Sequence, residues 1–108
     1  MNKRTAFLAI SLALIGIGTS RIAGSAEDNH IVVSNFMFHP AILTITAGST
    51  VTWVNEDEEP HTIVSATGLF RSEALDTHAS FSFKFDKPGT YLFACSIHPQ
   101  MTGKILVQ

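Results

Sequence analysis

Tyr91-Leu92-Phe93-Ala94-Cys95-Ser96-Ile97-His98-Pro99-Gln100-Met101 decides how this chain is read. Its first half is a strand pattern. Tyr91, Phe93 and Cys95 fall on one face of a period-2 element, so the thiol continues a row that points into a core. The same alternation appears at Phe81-Ser82-Phe83-Lys84-Phe85, at Val51 and Trp53 between Thr50, Thr52 and Val54, and at Leu43 and Ile45 between threonines. Turn residues separate these runs: Ala47-Gly48-Ser49, Glu58-Glu59-Pro60 and Asp86-Lys87-Pro88-Gly89. The pattern predicts strands near 30–35, 41–46, 50–55, 61–65, 80–85, 91–95 and 104–107. Only Ser72 to Asp76 is a candidate for a helical turn. Several short strands at regular spacing predict an all-β sandwich or barrel.

The second half of the stretch carries chemistry. Two residues separate Cys95 from His98 and two separate His98 from Met101, so one short loop can aim a thiolate, an imidazole and a thioether at one point. Pro99 fixes its own φ and biases His98 toward an extended backbone. Gly103 is read as the residue that permits the turn into the last strand. A second imidazole, His61, follows Pro60, 34 residues before Cys95. Thiolate and thioether are soft donors that favour Cu(I), and imidazole suits copper in either state. Two His and one Cys with a weak axial Met form the donor set of a blue-copper electron-transfer site. Structural zinc sites draw on several Cys or His and do not use Met. Cys95 alone would read as a buried apolar filler. A Cys–His nucleophile lacks an accompanying acid, and haem attachment needs a second cysteine.

Asn55 shares its strand face with Val51 and Trp53, which puts an amide on the core side, where it needs partners. It is either an ordinary turn asparagine or an outer contact that ties the His61 segment to the Cys95 loop. His30, His39 and His78 fall outside the donor pattern and read as surface or turn residues. Met37 reads as core filler or edge packing. Glu56-Asp57-Glu58-Glu59 reads as a solvated loop that could also steer a basic partner.

Residues 1–26 have the form of a cleavable secretory signal. Lys3 and Arg4 precede an apolar run from Ala6 to Gly18, and Ala23-Gly24-Ser25-Ala26 supplies small residues for cleavage. The run is short for a membrane-spanning helix. Cleavage after Ala26 leaves residues 27–108 as one domain, with four basic residues against nine acidic ones and a net charge of −5. Nucleic-acid binding calls for a basic face and is not expected. The expected location is the periplasm or another exported compartment. There a single cysteine cannot form an internal disulfide, and a bound metal would shield it from oxidation.

Val51-Thr-Trp-Val-Asn55, Pro60-His61-Thr62, Phe85, Pro88-Gly-Thr-Tyr91 and the Cys95, His98, Met101, Gly103 spacing together resemble the cupredoxins, with amicyanin and plastocyanin-like proteins as the nearest types. The likeness covers residues 27–108. It implies a Greek-key β-sandwich and one type 1 copper ion cycling between Cu(I) and Cu(II). It also implies His61, Cys95 and His98 as equatorial ligands, Met101 as the axial one, and Asn55 as the outer anchor. Ile97 stands where amicyanin-type loops tend to have Pro, and Gln100 where they place an aromatic residue. The implied role is an exported monomeric electron carrier, not an enzyme and not inserted in a membrane. Its partners would be redox proteins, such as a basic c-type cytochrome or a dehydrogenase. His98 would face solvent within an apolar rim of Pro60, Ile97, Pro99 and Leu69. A periplasmic copper carrier or chaperone is the alternative reading.

Overall fold

The computed structural model describes residues 29–108. The signal-peptide reading of residues 1–26 lies outside that span. Eight strands follow in order: β1 (His30–Ser34), β2 (Met37–His39), β3 (Ile42–Ile45), β4 (Ser49–Asn55), β5 (Val64–Ser65), β6 (Ser80–Phe85), β7 (Gly89–Ala94) and β8 (Thr102–Val107). They form two four-stranded sheets, ordered β2-β1-β4-β6 and β3-β8-β7-β5. Among the described residues there is no helix. The expected sandwich is therefore the observed one, and the chain crosses between sheets as a Greek key requires.

Register follows from the alternations. β4 pairs antiparallel with β6, Trp53 opposite Phe81, and parallel with β1, Val33 opposite Asn55. β7 pairs antiparallel with β8, Phe93 opposite Gly103, and β3 runs parallel to β8. The inward faces meet over Ile31, Val33, Val51, Trp53, Phe85, Phe93 and Ile105, all essentially removed from solvent. Trp53 lies at the middle, its ring centroid 5.3 Å from Phe93 and 5.6 Å from Phe70. Each such ring contributes about 1.5–3 kcal/mol of burial, which a domain of this size needs.

Three expectations change. The expected first strand is followed by an unexpected second, Met37–His39, because Asn35 and Phe36 both adopt left-handed backbone, with φ of 54° and 57°, and turn the chain into an antiparallel hairpin. Positive φ at both central residues is the demand of a type I′ turn; Asn suits it and Phe does not. The 61–65 strand shrinks to Val64–Ser65. His61 instead exchanges backbone bonds with Leu75, and Ile63 bonds Ser72. That pairing also keeps 72–76 extended rather than helical.

Parallel β1 and β4 end at the same pole. β7 ends there too, because its last residues lead directly to His61's neighbours. The Asn35–Phe36 turn, the 55–61 loop and the Cys95 loop therefore gather at one end of the sandwich.

Candidate metal centre

Cys95 follows β7 directly and is fully buried, as the period-2 row through Tyr91 and Phe93 requires. The loop after it closes on itself. Met101 N–H donates to the His98 carbonyl at 2.9 Å, and Cys95 N–H donates to the Met101 carbonyl at 3.1 Å. Met101 is buried and His98 half-buried. Gly103 does not make the turn. It lies within β8 under the Phe93 ring, where an added Cβ would come within 2.5 Å of Phe93 Cζ and 2.9 Å of the Ala41 carbonyl. The glycine is there for close packing between strands.

His61 is fully buried. Its loop is tied by Asn55, whose Nδ2 donates to the carbonyls of Glu59 (2.9 Å) and Leu75 (2.8 Å), while its Oδ1 accepts from Asp57 N–H at 2.9 Å. Asn55 thus anchors the His61 side and is no ordinary turn residue. The bonds to the Cys95 loop are made by Thr62. Its N–H donates to Cys95 Sγ at 3.4 Å, and its hydroxyl oxygen accepts from Ser96 N–H at 2.8 Å.

Cys95 Sγ stands 3.8 Å from Nδ1 of His61 and 3.8 Å from Nδ1 of His98. All three donors lie within 4.8 Å of one another. Bonds typical of a first-row dication, about 2.3 Å to thiolate and about 2.0–2.1 Å to imidazole, opening at about 120°, separate sulfur from nitrogen by about 3.7–3.8 Å. The two observed sulfur–nitrogen distances match one ion shared by the thiolate and each imidazole. Burial alone would push the Cys95 thiol up; the Thr62 amide and the contacts with His61 and His98 outweigh it and bring the thiol down to about 6. The ligand-competent thiolate is therefore the favoured form at neutral pH. With Met101 buried at the end of the same loop, the four residues expected from the sequence are positioned to bind type 1 copper.

Two contributors were not expected. Asp57 belongs to the acidic run, yet its side chain is only 13 % exposed and its Oδ2 lies 2.8 Å from His61 Nε2. The same carboxylate accepts from the N–H groups of Asn35 (2.7 Å) and Phe36 (3.0 Å). Desolvation would raise this carboxyl, but the Phe36 and Asn35 amides and His61 hold it below the ordinary value. Phe36 sets its ring edge-on to His61 and His98, with centroids 5.2 and 5.1 Å away. The only sequence signal for either was Asn35 as a turn former.

The remaining residues sort plainly. His30, His39 and His78 are exposed; His39 Nε2 lies 3.0 Å from the Ser34 carbonyl, and His78 lies 3.3 Å from Glu56. Met37 is 52 % exposed on the edge strand and fills no core. Pro60, Ile97 and Pro99 are exposed, but Leu69 is not part of their rim. β5 runs antiparallel to β7, Val64 opposite Ala94 and Ser65 opposite Phe93, so the chain after Ser65 heads away from Cys95. Leu69 lines a hollow with Phe83, Phe85, Lys87 and Tyr91 instead.

Residues 6–107 match the Cupredoxin-like domain family. Amicyanin-alpha of Methylorubrum extorquens is 34 % identical over 91 residues, covering 80 % of this chain and 74 % of that protein. Plastocyanin of Scenedesmus fuscus is 40 % identical over 85 residues, covering 67 % of this chain and 87 % of its own. Among solved structures, the purple cupredoxin of Nitrosopumilus maritimus superposes with a TM-score of 0.70 at 34 % identity, covering 75 % of this chain and all of that one. With this fold, this donor triangle and these relatives, the chain belongs to the cupredoxins, sharing with amicyanin and plastocyanin the build of a small electron carrier rather than an enzyme.

Proposed function

We infer that the protein shuttles single electrons between redox partners outside the cytoplasm, and that His61, Cys95, His98 and Met101 would hold one copper ion. The observation that carries this reading is the 3.8 Å spacing of Cys95 Sγ from both imidazole Nδ1 atoms, held by bonds that do not involve a metal. When bound, copper supplies the one-electron Cu(I)/Cu(II) couple. The chain supplies rigidity. Asn55, Thr62 and the closed 95–101 loop each fix a ligand segment by hydrogen bonds to backbone groups, so the donors need not move when the charge at the site changes. His98 is the imidazole with solvent access, and Phe36, Pro60, Ile97 and Pro99 surround it with exposed apolar surface. A partner docks there briefly, over a small area.

Exposed Glu56, Glu58 and Glu59 border the same pole and favour a basic partner, such as a c-type cytochrome. The relatives named and the leader-like residues 1–26 support an exported, periplasmic location. A copper-delivery role finds no support: two of the three clustered donors are fully buried, which suits retention over release.

The experiment is to load copper and record the spectrum and a voltammogram. A blue Cu(II) form, lost in Cys95→Ala, and reversible cycling without loss of metal are the expected results. A colour that survives Cys95→Ala, or binding of zinc alone when copper is offered, would overturn the site.

A further inference from the structure

Asp57 is the residue of the acidic run that electron carriage leaves unexplained. Glu56, Glu58 and Glu59 face solvent, whereas Asp57 turns inward. Its backbone is held at both ends, N–H to Asn55 Oδ1 at 2.9 Å and carbonyl from Thr77 Oγ1–H at 2.7 Å. Oδ1 accepts from Asn35 N–H, and Oδ2 from Phe36 N–H and His61 Nε2. The two amides belong to a hairpin turn in left-handed backbone, an uncommon state for Asn and a true outlier for Phe. Such strain persists only where the surroundings over-determine it, and it gathers at functional sites. The ring carried by the strained residue is the one that meets both imidazoles edge-on.

We propose that Asp57 is a positioning residue that couples this turn to the metal centre, holding Phe36 over the two imidazoles and His61 in its metal-binding tautomer with one carboxylate. The tautomer follows from chemistry. An ionised carboxylate only accepts, so Nε2 carries a hydrogen, and Nδ1, on the side where Cys95 Sγ lies, is the nitrogen left to give its lone pair to a metal. The lid follows from geometry. Releasing either turn amide frees Phe36 to relax to negative φ, and its ring leaves the imidazoles. One side chain therefore sets both the basicity of a ligand and the closure of the site. This inference rests on His61 and His98 being ligands.

The test uses the full protein, metal-free and copper-loaded, as wild type, Asp57→Asn and Phe36→Gly. An asparagine cannot accept at both of its side-chain atoms, so D57N breaks the double clamp with little change of volume. Glycine keeps the turn N–H and tolerates the φ, so F36G removes only the ring. Nitrogen NMR of the metal-free wild type should show His61 protonated at Nε2, with the Asn35 and Phe36 amides protected from exchange. D57N keeps one acceptor oxygen, so it should lose the protection of at least one turn amide, and disturbing this outer partner of a ligating histidine should weaken copper binding about 10–100-fold in competition with a chelator. F36G should keep the tautomer and the amide protection, yet give up copper to the chelator faster. Near-ultraviolet dichroism of Trp53 reports whether each variant is folded. A folded D57N that keeps its amide protection, or wild-type copper affinity in D57N, overturns the coupling. F36G releasing copper at the wild-type rate overturns the lid. A wild type with no copper site at all would instead sink the electron-carrier reading, and the metal-free NMR would still judge the clamp.

Discussion

The backbone N–H of Thr62 donates to Cys95 Sγ across 3.4 Å, although 33 residues separate the two in sequence, and the Thr62 hydroxyl lies 3.7 Å from the same sulfur. Donors at a thiolate stabilise the more electron-rich state, here the reduced one. Thr62→Val removes the hydroxyl and leaves the N–H. The reduction potential should fall by about 20–40 mV, the one-electron equivalent of about 0.5–1 kcal/mol. Ser96 N–H loses its acceptor as well, so unfolding should become easier by about 1 kcal/mol. Voltammetry and a denaturant titration measure the two effects separately; an unmoved potential would place the hydroxyl outside the sulfur's influence.

A thiol brought from an ordinary 9.0 down to about 6 makes the metal-free fold pH-dependent. The folded value is the lower one, so the contribution is complete above about 9 and is lost as pH falls through about 6. The metal-free protein should gain stability steadily between those limits, and Cys95→Ser should flatten the rise. Thiolate absorbance near 240 nm, followed in the same titration, should show its midpoint close to 6.

Met101 closes the ligand loop from a buried position. Met101→Gln exchanges a soft thioether for an oxygen donor, which favours Cu(II) over Cu(I). The variant should keep its copper and show a lower reduction potential than wild type. Identical potentials would remove Met101 from the ligand set.

Gly103 is a packing position, so its test is mechanical. Gly103→Ala drives a methyl into the Phe93 ring and the Ala41 carbonyl. Over-packing of this kind costs about 1–3 kcal/mol, and the thermal midpoint should drop by several degrees. Phe93→Leu in the same chain should recover part of the loss, because the clash is with the end of that ring.

Glu56, Glu58 and Glu59 remain as the exposed part of the acidic run. Electron transfer to a basic cytochrome should slow as salt rises, since exposed charges are screened beyond about 8–10 Å at physiological ionic strength. Changing the three to glutamine, with Asp57 untouched, should flatten that dependence. Stopped-flow rates at several salt concentrations decide it; slopes equal to wild type would leave the run as a solvated loop.

What the sequence made legible was chemistry and period. The Phe81–Phe85 alternation sufficed for a strand, and the spacing of Cys95, His98 and Met101 sufficed for three donors on one loop. Distant donors were harder. His61 was placed by its residue type, and Asn55 by falling on an inward face. Asp57 escaped because nothing local distinguishes it from the glutamates beside it; its partners, Asn35 and Phe36, are more than 20 residues away and meet it only through the parallel pairing of β1 with β4. Leu69 was misplaced because its location depends on the direction of β5, which a two-residue strand does not announce. Gly103 was misread because a glycine's reason lies in what faces it, and Phe93 comes from another strand.

The parallel pairings of β1 with β4 and of β3 with β8 join Val33 to Asn55 and Ile45 to Val107, so no sheet can close from neighbouring hairpins alone. An incompletely folded chain offers copper only the local trio of Cys95, His98 and Met101. His61 reaches Cys95 once both sheets have found their order. Colour in this protein would then be a proofreading mark, since a sandwich assembled in the wrong register could hold the metal weakly but would lack the fourth donor that gives the centre its character.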